Sequence, residues 1–171
     1  MDSKVSTNTP KERREIMNVM ITPAEVVALA FGCGSESLCG EISEATIVAA
    51  ERKYLVPVFG AEMVENMKSG GCQELVAGYV KPALALYVKR LVLPALAVKV
   101  GAAGVVSYLG EGFEKVDDAT LARLLRRTKA DADALIDRAV EIIEESPDDY
   151  PDYCAGYNVR HRVNLASGVV L

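Results

Sequence analysis

The sequence predicts an all-α fold, a helical bundle of about five helices with a short C-terminal extended segment. Three observations carry that prediction. Half of the 171 residues are hydrophobic, but only 6% are aromatic and Trp is absent, so the core is built from Ala, Val and Leu, sizes that suit closely packed helices. Thr9-Pro10-Lys11-Glu12 and Thr22-Pro23-Ala24-Glu25 both have the form of a capping box with Pro at the first helical position. From Leu121 to Ile143, apolar residues recur at spacings of three and four. The length is that of one domain. It divides into a flexible N-terminal extension (1–20), a helical domain (21–153) and an extended C-terminal tail (154–171).

The first capping box opens a short, exposed helix, because Lys11 to Glu15 offer little to bury. The second opens a firmer one through Val26, Val27, Leu29, Ala30 and Phe31, ahead of a Gly/Ser-rich loop from Gly32 to Gly40. Glu41 to about Leu55 reads as a helix that Pro57 stops, since the residue before proline is pushed out of helical geometry. Phe59-Gly60 turns the chain into a short helix from Ala61 to about Lys68, which Ser69-Gly70-Gly71 closes. Gln73 to about Leu93 is the central helix, apolar on nearly every side, with Pro82 bending it unless the helix starts there and Pro94 marking an end or a kink. Lys99 to Leu109 reads as two short extended pieces around a Gly-rich turn. Asp117 or Asp118 caps the last long helix, which Glu144-Glu145-Ser146-Pro147 ends. In the tail, Tyr157, Val159, His161, Val163 and Leu165 alternate with Asn158, Arg160, Arg162 and Asn164, the pattern of a strand. A lone strand needs a partner for its backbone groups, here the Gly101 turn region or another chain.

Composition narrows the function. A net charge of -5 and a pI near 5.0 disfavour tight binding to phosphate backbones. Cys33, Cys39, Cys72 and Cys154 form no C-x-x-C pair and His161 is the one histidine, so no metal, redox or nucleophile–base signature stands out. The first 20 residues lack the apolar core of a signal peptide, which implies a reducing cytosol. Lys81, Lys89, Arg90 and Lys99 divide the apolar run from Tyr79 to Val106 into pieces too short to span a bilayer, so no membrane is expected. Asp131, Asp133 and Asp137 read as a solvated helix surface, and Arg123, Arg126, Arg127 and Lys129 as a solvated face balanced by Asp131 and Asp133. Lys89 and Arg90 lie inside an apolar helix, where charge is costly unless paired, with Glu51 or Glu74 as partner. The expectation is a protein that is not an enzyme, binds no cofactor and associates with other proteins. Were it catalytic, Glu51 and Glu74 would be the carboxylates to examine.

Three segments, Ile21-Thr22-Pro23-Ala24-Glu25-Val26, Ala49-Ala50-Glu51-Arg52-Lys53-Tyr54-Leu55 and Ala83-Leu84-Ala85-Leu86-Tyr87-Val88-Lys89-Arg90, occur in an order that resembles the head-tail connector (adaptor, head completion) proteins of tailed bacteriophages. The resemblance covers roughly residues 22–153. It implies a structural phage or prophage neck protein that forms a ring of identical subunits, joins the portal to the tail, and passes DNA through a channel without specific binding. The partners it implies are copies of the chain and portal or other neck proteins. Its location would be the bacterial cytoplasm and then the virion. The interface candidates are Tyr87, Arg90, Tyr157, Val159, His161, Val163 and Leu165. The longer Pro94 to Phe113 connection and the polar N-terminal extension depart from that family's pattern, which leaves open which neck component this is. The alternative is a helical binding or regulatory module, with a pocket between Tyr54, Phe59, Tyr79 and Tyr87 for a small-molecule or protein ligand.

Overall fold

A computed structural model describes residues 18–32, 36–96, 98–101, 104–107 and 117–164. These form an all-α bundle of seven helical stretches with one small β-hairpin. The expected Thr9 cap, Cys33 and Leu165 lie outside the described residues.

Helix α1 runs over Pro23–Val26 and continues as a π turn, Val27–Phe31, ending on Gly32 in the left-handed region. Its capping box forms as predicted: the Thr22 hydroxyl accepts from Glu25 N, and Glu25 Oε2 accepts from Thr22 N at 2.8 Å. Glu25 also pairs with Lys81 Nζ at 2.7 Å, tying the start of α1 to the central helix. Within the expected Gly32 to Gly40 loop lies α2, Glu36–Glu41.

Helix α3 comprises Glu44–Ala50, a π turn Glu51–Leu55, and Val56–Phe59, with Ser43 as its N-cap. Pro57 does not stop it, contrary to the sequence reading. Proline lacks an N–H and its ring crowds the carbonyl four residues earlier. The π turn ending at Leu55 places a widened coil there, which accommodates the ring. The same device recurs in the central helix. There Gln73–Leu75 leads into a π turn, Val76–Val80, and then Lys81–Leu96, with Pro82 two residues past the π turn and Pro94 inside the last turns (together α5). Between them, α4 occupies Ala61–Lys68, as the sequence predicts. At Gly71 an added Cβ would overlap Asn66 Oδ1 and lie 3.1 Å from Asn66 O, so the chain leaves α4 where a larger residue does not fit.

Strands β1 (Val98–Gly101) and β2 (Gly104–Ser107) pair antiparallel, Val100 opposite Val105, so the two predicted extended pieces pair with each other. Asp117 then caps α6, Asp118–Glu145, its side chain accepting from Thr120 N at 2.8 Å. The chain finishes through 3-10 turns at Pro147–Asp149 and Ala155–Tyr157 and a last helix, α7, Val159–Asn164.

Helices α5 and α6 form the centre of the bundle. Tyr87 meets Asp133 while Tyr79 meets Arg138, so the two run antiparallel. Val80, Ala83, Leu84, Val88 and Val92 of α5 are buried with Ala132, Ile136, Ala139 and Ile143 of α6, and the alanines let the helix backbones approach. Leu55, Val58, Phe59, Met63 and Met67 complete the core from α3 and α4. No helix among the described residues is long and apolar enough to cross a membrane.

Candidate functional site

The polar centre of the molecule lies where α3, α5, α6 and α7 meet. The π turn of α3 presents Tyr54, whose ring stacks on that of Tyr87 with centroids 4.1 Å apart and planes 5° from parallel. Tyr87 has no solvent exposure. Its hydroxyl donates to Asp133 Oδ1 at 2.6 Å and accepts from Arg160 Nη2 at 3.0 Å. Arg160 also reaches Asp133 Oδ1 at 2.7 Å, the Asp133 carbonyl at 3.2 Å and the Asp137 carboxylate. Lys129, one turn before Asp133 on α6, closes the cluster onto Asp133 Oδ2. Around it, Asn158 Nδ2 donates to the Tyr153 hydroxyl and that hydroxyl to Glu144 Oε1, both at 3.0 Å, with His161 Nε2 3.3 Å from the same oxygen.

The electrostatics follow from this geometry. Burial pushes the Tyr87 phenol well up, and the Asp133 carboxylate beside it adds to the shift, so the hydroxyl stays protonated. Burial alone would raise Asp133, but Lys129, Tyr87 and Arg160 outweigh it and hold the carboxyl below its usual range. Burial, reinforced by Glu144, pushes Tyr153 up to about 12. Tyr87, Asp133 and Arg160 therefore match donors to acceptors across three helices, an arrangement that fastens α7 to the bundle.

Because the folded pKa of Asp133 is depressed, its contribution is complete above its ordinary value of 3.8 and is lost as pH falls through the lower folded value. Amide hydrogen exchange across Val159–Asn164 is expected to rise on acidification below pH 3.8 before the α5 amides respond. Equal protection of α7 at neutral pH and below this range would contradict that assignment.

Several sequence expectations change here. The tail from Val159 to Asn164 is a helix, not a strand. Asn158 precedes it and accepts from Arg160 N at 3.0 Å, supplying a cap, and the residue turned to the bundle is Arg160, which has polar partners there. Tyr157 and Val159 face outward, 71% and 41% exposed, and His161 is exposed beside Glu144. Val163 belongs to α7. Tyr87, offered as an interface residue, is instead in the core, because its hydroxyl is satisfied by Asp133 and Arg160. Arg90 is half-buried and donates to the Tyr54 hydroxyl at 2.8 Å, while Lys89 donates to the Ala30 carbonyl and lies 4.9 Å over the Phe31 ring. Neither pairs with Glu51, which belongs to Lys68, or with Glu74, which is exposed.

No pocket opens between Tyr54 and Tyr87, because the rings touch. A cleft of about 660 Å³ lies beside them, lined by Lys53, Tyr54, Pro57, Val58, Val140 and residues of α7. Among the described residues no group of three or more His, Cys, Asp or Glu side chains is placed to hold a metal ion. Sequence reasoning missed Asp133 and Arg160. The available signal was position: Asp133 borders the apolar stripe of Thr128, Ala132 and Ile136 rather than the far side of α6.

Residues 36–163, which contain every member of this cluster, match a protein family described as a family of unknown function, DUF6712. The match covers well over half of the chain. The chain belongs to this family. The DUF6712 match starts with α2 and ends within α7, so the arm that Arg160 fastens is part of the family's shared region. No curated protein and no solved structure matches this DUF6712 member.

Proposed function

We propose that this protein is a structural subunit of a tailed-phage or prophage neck, without catalytic function, which assembles into a ring and joins the portal to the tail. One observation carries the reading. The C-terminal arm is fastened by its charged side, through Arg160, and so holds Tyr157 and Val159 outward, two apolar residues at 71% and 41% exposure. Exposed apolar side chains on an ordered arm suit contact with a partner. The resemblance of the helical segments to head-tail connectors names that partner as portal or another neck protein. In this reading the subunit is made in the bacterial cytoplasm and ends in the virion, and its acidic balance suits a channel that lets DNA pass.

The test combines sedimentation of the purified chain with capture of the portal protein encoded beside it. The expected result is a mass several times 18.4 kDa, alone or once portal is present, and weaker capture by Tyr157→Ala/Val159→Ala at unchanged thermal midpoint. A strict monomer at high concentration that also fails to capture portal would overturn the reading. The cleft beside Tyr54 favours a second reading, a helical binding or regulatory module. Thermal stabilisation by a small molecule, abolished by filling the cleft from its exposed rim through Lys53→Trp, would support it.

A further inference from the structure

We infer that the basic end of α6 is a docking surface for a second copy of this chain, and that it receives the acidic segment at the far end of the same helix. Near the start of α6, Arg123, Arg126 and Arg127 are exposed around Leu124, itself 43% exposed. From Glu141 to Asp152 there are six carboxylates and no Lys or Arg. That acidic block sits at the C-terminal end of the helix, where the backbone dipole favours cations, and no basic residue stands in the last turn.

Taken as a linear pattern, the arginines are balanced by Asp131 and Asp133. In the fold they are not. Asp133 is turned to Tyr87, Lys129 and Arg160, and Asp131 reaches Arg127 only at 4.0 Å between two largely exposed side chains. Arg123 and Arg126 are left without an ion-pair partner among the described residues, as are Asp148 and Asp149. The two blocks of one molecule cannot meet, because the rigid stretch of α6 from Arg126 to Glu145 holds them about 29 Å apart.

A second copy removes the mismatch. Its Asp148 and Asp149 placed on Arg123 and Arg126 form charged pairs around a covered Leu124, an apolar centre with a charged rim. Repeated head to tail, such a contact closes into a ring when the rotation per subunit allows it. The inference rests on the ring-subunit reading and names the surface by which copies meet.

The test uses the full chain, the variants Arg123→Glu/Arg126→Glu and Asp148→Lys/Asp149→Lys, and their equimolar mixture, followed by sedimentation at low and high salt. The wild-type chain is expected to self-associate at low salt and to weaken as salt rises. Each reversed variant loses affinity by at least about tenfold, and the mixture recovers it, since every reversed patch then meets its complement. Circular dichroism establishes that both variants fold. If a reversal unfolds the chain, Arg123→Ala/Arg126→Ala and Asp148→Asn/Asp149→Asn replace it and lose affinity in the same direction. Wild-type association by both variants would overturn this contact and leave the ring reading standing. A mixture that stays dissociated while both variants fold would also overturn it. A wild-type chain with neither self-association nor portal capture would remove the ring reading with it.

Discussion

Replacing Glu51 with alanine is expected to lower the unfolding free energy by roughly 3–5 kcal/mol, the cost of removing one partner from a buried ion pair. Glu51 is 1% exposed. One of its carboxylate oxygens lies 2.7 Å from Lys68 Nζ, whose side chain is 9% exposed, and the other accepts from Met20 N at 2.8 Å. Alanine removes both contacts together, so Lys68 is left with only the exposed Glu65 at 3.3 Å and the Met20 N–H loses its acceptor. Denaturant titration reads the loss as a lower midpoint at unchanged slope.

Two companion variants separate the terms. Glu51→Gln keeps an acceptor for Met20 N and is expected to cost less than alanine. Glu51→Leu combined with Lys68→Met removes both charges and is expected to recover much of the alanine loss, since a buried pair often contributes little over an apolar one. An alanine variant within about 0.5 kcal/mol of wild type, the range of an ordinary surface change, would rule out this account. The pair also sets an alkaline limit. Burial pulls the Lys68 pKa down, but Glu51 outweighs it and the folded value is raised above the ordinary 10.5. Its contribution is therefore complete below 10.5 and is lost as pH rises through the folded value, a loss that the Glu51→Leu/Lys68→Met chain should not show.

Tyr87→Ala is expected to cost about 3–5 kcal/mol, the usual range for removing a buried aromatic ring. It deletes the partner of Tyr54 in the 4.1 Å stack and one of the groups that hold Arg160. Tyr87→Phe keeps the stack and removes only the hydroxyl, for an expected loss of about 1–3 kcal/mol from its two buried hydrogen bonds, while Asp133 and Arg160 remain paired at 2.7 Å. Arg160→Ala leaves the core intact. It should barely move the cooperative unfolding transition but should raise hydrogen exchange across Val159–Asn164. The order expected for global stability is Tyr87→Ala below Tyr87→Phe below Arg160→Ala. Unchanged α7 protection in Arg160→Ala would show that the arm is held by something other than this arginine.

These two clusters differ in how they could be read beforehand. Charge in an apolar helix was visible as a problem needing a partner, which is why Glu51 came into view. The partner assigned to it, Arg90 or Lys89, was wrong because pairing depends on which helices touch. Lys68 was available on a neighbouring helix, and Arg90 found a phenol instead. Local chemistry was easier to read. The Thr22 capping box, the Asp117 cap, the Ala61–Lys68 helix and the paired extended pieces around Gly101 all depend on groups a few residues apart, and all are present. Pro57 misled because a helix-breaking rule assumes the α register, and a π turn before the ring removes the clash the rule rests on.

The sequence by itself determined the helical class, the order of the main helices and most of their ends, because caps, periodicity and small core residues act over one or two turns. The tertiary structure decided the rest. It turned an alternating tail into a helix held by Arg160, moved Tyr87 from a supposed surface into the core, and drew Asp133 away from the arginines of its own helix. Each outcome depends on side chains brought together from distant points in the chain, and a buried charge or hydroxyl settles where its partner is, a location that linear spacing does not contain.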